Sequence, residues 1–176
     1  LGLHTGYNEE SVALPSIERA GLELDVRLSD APYIIKSPWL CDYIGEVLSN
    51  PDIQIDHAIL PVRSFEAAAA SRAHVQRQVT GKPDGEITVA GGLWHTNVAA
   101  GQEAVLRLQF TKLIEALVRH NVPTTTLWYP RLVRDPDYLY EKLSFLFADS
   151  DPATFRSVFE RTRNIGLVHQ FTSADI

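Results

Sequence analysis

The chain has no methionine, one cysteine and no apolar run near the ~20 residues that cross a bilayer. The lone Cys41 excludes an internal disulfide framework and a cysteine-rich zinc site, and a reducing cytoplasm is the simplest home. The visible N-terminus is neither basic nor continuously apolar, so no secretory leader is read there. Basic residues are in deficit, 16 Lys and Arg against 22 Asp and Glu, a net charge of −6. That balance argues against a broad nucleic-acid surface and leaves room for a local basic pocket. No GxGxxG, GxxxxGK[ST] or GxSxG segment occurs, so nothing supports a nicotinamide, ordinary ATP or serine-hydrolase site. The six histidines are scattered, and no metal is expected. The opening "LGLHTG" without methionine has three explanations: chance composition, an incomplete N-terminus, or lost methionine positions that would lengthen the true spacings. The N-terminus is read as incomplete.

What is present is an ordinary globular composition, 45% hydrophobic and 22% charged in 176 residues, enough for one domain with a sizeable core. Strand and helix patterns alternate. A short helix is expected over 14–24. "PYIIK" (32–36) reads as a buried strand. A helix follows through "WLCDYIGEVLSN", with Ser37 as N-cap and Pro38 at its first position. "IDHAILPV" (55–62) is a strand and 64–79 a helix. "TGKPDGEITVAGG" is a long loop that suits a lid or substrate loop. The longest helix is expected over 100–121, with Val105, Leu108, Leu113 and Leu117 near helical period. "PTTTLWY" (123–129) is a further strand. Asp135-Pro136 and Asp151-Pro152 each open a helix, over 135–148 and 151–164.

This order predicts an α/β fold with a mostly parallel sheet flanked by helices. Ligands of such sheets bind where strands end and helices begin. The residues there are Lys36-Ser37-Pro38, Arg63-Ser64 and Tyr129-Pro130-Arg131. Each turn carries a cation, and two carry a serine. A guanidinium at a strand end beside a helix N-terminus suits an anion. Ser71 lies eight residues after Arg63, and on a helix it can offer its hydroxyl to the same anion. The bland alternative pairs Arg63 with Glu66 or an exposed carboxylate and treats the alanines as helix formers.

"AILPVRSFEAAAASR" resembles the 3′-phosphate-binding segment of the P-loop sulfotransferases, a strand ending in Arg with Ser eight residues later. "YIIKSPWL" (33–40) resembles that family's strand ending in Lys-Ser/Thr-Pro or Lys-Thr-His. "TLWYPRLVRDPDYLYEKLSFLF" (126–147) resembles its late Asp-Pro helix, and "LGLHTG" the stretch after its first helix. The resemblance implies a three-layer P-loop NTPase-like domain over 1–176. It implies sulfuryl transfer from 3′-phosphoadenosine 5′-phosphosulfate to a hydroxyl or amine of a small-molecule or carbohydrate acceptor. Arg63, Ser71 and Ser37 would bind the donor, and Lys36 would lie beside the sulfuryl group. The chain departs from the pattern in three places. The P-loop that should precede "LGLHTG" is not in it. Pro38 stands where many members carry a catalytic histidine, and Pro130 where a tyrosine-glutamate pair would carry its acid. Arg161, Arg163 and Gly166 are loosely placed for the family's basic-glycine segment.

Sulfuryl transfer needs a cation near the leaving oxygen and a base for the acceptor proton. Lys36 is the candidate cation, and His95 or Asp42 the candidate base. Trp94 could line an acceptor or adenine site. His57 reads as a core or edge residue, and Trp39 and Trp128 as core aromatics. Two other functions fit the scaffold: a P-loop nucleotide kinase relative, or a degenerate α/β binding or oligomerisation module. The sequence leaves oligomeric state open, a homo-oligomer included.

Overall fold

The computed structural model describes residues 4–5, 23–87, 89–146 and 151–168. The helix expected over 14–24 lies almost wholly outside the described residues, as do most of "LGLHTG" and the end of the 135–148 segment. Within them the fold is α/β. Helix α1 runs Leu40–Ser49 and strand β1 Ala58–Val62. Helix α2 is Phe65–Thr80, α3 Gln102–Arg119 and strand β2 Thr124–Trp128. Helices α4, Pro136–Leu143, and α5, Pro152–Thr162, follow.

β1 and β2 pair in parallel with Ala58 opposite Thr124 and Val62 opposite Trp128. The ladder extends past both ends: the Ala58 amide donates to Pro123 O at 2.8 Å and the Tyr129 amide to Val62 O at 2.7 Å. A parallel pair needs a covered crossover, and α2, a long loop and α3 supply it. Ile44, Ala58 and Leu117 form the core at the junction of α1, β1 and α3, joined by Leu48, Leu60 and Leu113. On α2, Ala69, Ala70 and Ala73 have no exposed surface. A side chain no larger than a methyl lets neighbouring elements approach this helix closely.

The helix starts follow local chemistry. Ser64 caps α2 by accepting from the Ala67 amide at 3.0 Å. Asp135 accepts from the Tyr138 amide at 2.9 Å, and Asp151 from the Ala153 and Thr154 amides. Proline follows each aspartate at the first helical position, where its missing N–H costs nothing.

Four expectations need correction. "PYIIK" is not a buried strand. Among the described residues only Lys36 bridges, to Glu23, and Tyr33 is 61% exposed. β-Formers make a strand only where a ladder partner is at hand, and Pro32 has no amide to offer one. Ser37 does not cap α1. Its Oγ lies 2.6 Å from the Tyr43 hydroxyl, a turn spans Pro38 and Trp39, and the helix begins at Leu40 with Trp39 before it. Trp39 and Trp128 are not core aromatics but about half exposed. Leu108 is exposed as well, because the buried stripe of α3 runs on a different face.

Candidate functional site

A cleft of about 230 Å³ opens where β1 ends, between the start of α2, the middle of α3 and the loop that carries Trp94. Arg63, the residue after β1, stands in its wall. The extended ladder puts Tyr129 beside it, with the guanidinium carbon 4.9 Å from the ring centroid. Arg63 Nε is buried and has no hydrogen-bond partner among the described residues. Burial pulls the guanidinium below the ordinary arginine value, and the neighbouring Tyr129 acts in the opposite direction. Among the described residues Arg63 has no ion-pair partner, so neither Glu66 nor another carboxylate there takes it up.

The opposite wall belongs to α3. Gln102, Leu106, Gln109, Leu113 and Leu117 recur at spacings of four and three, one face of a helix. Gln109 Nε2 donates to Asp42 Oδ1 at 3.2 Å, while its Oε1 is buried and unpartnered. Arg63 and Gln109 both line the cleft, and each keeps one buried side-chain atom without a partner among the described residues, a donor in Nε and an acceptor in Oε1. Asp42 and His95 meet: Nε2 of the imidazole lies 3.1 Å from both carboxylate oxygens. His95 reaches there with φ of 53°, a left-handed backbone conformation that histidine adopts only occasionally.

Three buried or largely buried side chains hold the Trp94 loop in place. Arg72 Nη1 donates to Gly92 O at 2.8 Å, and its guanidinium lies over the Trp94 ring. Burial pulls Arg72 below its ordinary value, while Cys41 acts the other way. Gln76 donates to Ile87 O and accepts from the Leu93 amide. Gln102 accepts from the Trp94 amide at 2.6 Å and donates to Trp94 O. Gly92 has no room for more. A Cβ there would stand 2.5 Å from Gln76 Oε1 and 2.9 Å from Val89 Cβ. Cys41 also lines the cleft, its thiol pushed up by burial.

Of the sequence candidates, Arg63 and Trp94 line the cleft. Asp42 and His95 are joined to each other but are not in the lining; each is the chain neighbour of a residue that is, Cys41 and Trp94. Pro38 lines the cleft, so Ser37 is one residue and Lys36 two residues from its wall. Lys36 pairs with Glu23 at 2.8 Å. Ser71 is half-buried, one turn beyond Ala68, and is not in the lining. His57 takes a structural part, 2.9 Å from Thr125 Oγ1 and stacked on Phe145. Among the described residues no three histidine, cysteine or acidic side chains gather as a metal would require, and no helix is long and apolar enough to cross a membrane. Sequence reading missed Gln76, Gln102 and Gln109. The available signal was a polar amide in an otherwise apolar helical stripe.

A second, wider groove of about 550 Å³ runs along β2 and α4, lined by Trp128, Arg131, Tyr138 and Lys142. It shares Val62 and Phe110 with the cleft. No family model, curated protein or solved structure matches the chain.

Proposed function

We propose that the cleft binds the phosphate of an anionic nucleotide through Arg63, and that the chain serves sulfuryl transfer from 3′-phosphoadenosine 5′-phosphosulfate on a three-layer P-loop-like scaffold. The unpartnered, buried Arg63 Nε at the carboxyl end of a parallel strand carries this reading. A buried donor left unpaired is costly, and a phosphate oxygen relieves it with a charge-assisted bond. The cleft is smaller than the usual 300–1,000 Å³ of ligand sites, so it takes one end of such a nucleotide. The rest lies outside it.

In the transfer an acceptor oxygen bonds to sulfur. The bond from sulfur to the leaving phosphate oxygen breaks, and the acceptor proton passes to a base. The Asp42–His95 pair, next in the chain to the lining residues Cys41 and Trp94, is the candidate base. Lys36, paired with Glu23 at 2.8 Å, is the candidate cation for the leaving oxygen. Ser71 stays out of the lining, so the phosphate is assigned to Arg63 alone.

Calorimetric titration of the chain with 3′-phosphoadenosine 5′-phosphate tests the proposal, with ADP as control and Arg63→Ala alongside. Micromolar binding that is weak for ADP and lost in the variant is expected. Silence toward the first ligand, or a preference for ADP, overturns it.

A further inference from the structure

Gln109 makes a demand of its own on whatever occupies the cleft. Its amide cannot turn round, because Nε2 donates to Asp42 Oδ1 and a flip would set two acceptors against each other. Asp42 is itself held by His95 through both oxygens. The His95–Asp42 pair therefore keeps Gln109 Oε1 as a buried acceptor in the cleft wall, with no donor to it among the described residues. A ligand or water that reaches it can supply one. The remaining wall is chiefly apolar, with Phe65, Leu106, Phe110 and Leu113 prominent.

We infer that Gln109 is the specificity-determining residue of the cleft, selecting a ligand with a single O–H or N–H donor on an apolar, ring-sized body. The assignment deepens the reading above and rests on it only for the anion at Arg63. Size agrees: cavities of about 150 Å³ accept a benzene ring, and this one is about 230 Å³. A carbohydrate does not fit the chemistry. Its many hydroxyls would meet one acceptor and one donor here, and each hydroxyl left unpaired would cost free energy. The occupant is thus of the small-molecule kind, an aromatic or aliphatic alcohol or amine.

Phenol and anisole share a ring and differ by the donor. Both are titrated into the chain, with binding followed by amide chemical shifts around Gln109 and Phe110. Phenol should bind about tenfold more tightly, the gain expected when a buried orphan acceptor is satisfied. Gln109→Met should abolish the difference and leave anisole binding unchanged. Equal affinities in the wild type, failure of both to bind, or a phenol preference that survives Gln109→Met each overturns the assignment. The wild-type pair needs no substitution, so a variant that fails to fold leaves the test standing. Inorganic phosphate, titrated into wild type and Arg63→Ala, is the separate arm. Phosphate that binds through Arg63 beside equal phenol and anisole affinities sinks the Gln109 assignment alone. A phenol preference without phosphate binding sinks the anion reading alone.

Discussion

Arg63 and Arg131 stand in matching places, each just beyond the carboxyl end of one of two parallel strands, and each lies over a tyrosine ring. Their surroundings differ. Arg131 donates to Asp135 at 2.9 Å, is more than half exposed and lines the wider groove. Arg63 is half-buried, its Nε has no partner, and it faces the smaller cleft. A satisfied arginine tightens a turn, and an unsatisfied buried one waits for a ligand. Residue type is the same at both sites, and the positions are close: Arg63 is the first residue after β1 and Arg131 the third after β2. The helix that follows decides: α4 brings Asp135 back to its arginine four residues earlier, whereas α2 opens with Ser64, which is spent on its own cap.

Binding should separate the two arginines most sharply. Arg63→Met is expected to weaken phosphate binding about ten- to a hundred-fold, the range of a lost charge-assisted hydrogen bond. Arg131→Met should leave it unchanged, and a calorimetric titration of both variants reads this directly. If Arg131→Met weakens binding as much, the groove and not the cleft is the anion site. Next in size is Gly92→Ala. The added methyl would displace Gln76 or Val89 and loosen the Trp94 wall, with an expected loss of about 1–3 kcal/mol in urea unfolding. A smaller effect has opposite signs at the two arginines. Arg63→Met replaces an orphaned buried donor with an apolar chain and should hold or raise Tm, while Arg131→Met gives up a paired, exposed group and should lower it slightly.

The smallest expected effect is one of acidity. The Tyr138 amide, followed by the Arg131 guanidinium, holds the Asp135 carboxyl below its ordinary 3.8. A carboxyl lowered in the folded state stabilises fully above its unfolded value and loses that stabilisation as pH falls through the folded one. The Tm gap between wild type and Asp135→Asn should therefore be constant near neutrality and close as pH drops below 3.8. A gap that persists in strong acid would show that the cap works without its charge.

Much of this was legible in the chain. Asp-Pro marks the starts of α4 and α5, because capping and proline geometry are local. The parallel pair and the strand end at Arg63 follow from the alternation of "AILPV", helix and "TTTLW". "PYIIK" misled, because a short apolar run records β-propensity and says nothing of its partner. Ser37 misled too, since the Tyr43 hydroxyl six residues on competes for its Oγ. Asp42 and His95 were readable only as separate residues. That they meet, 53 positions apart, is a product of packing.

By itself, then, the sequence determined the α/β character, the capped starts of α4 and α5 and an arginine at the end of β1. Those depend on neighbours within a few residues. The tertiary structure decided that Arg63 lacks a partner, that Gln109 is held by Asp42 with its oxygen unused, and that Gln76 and Gln102 carry the Trp94 loop. Such outcomes depend on which donors and acceptors arrive together from distant segments, and no local pattern records that.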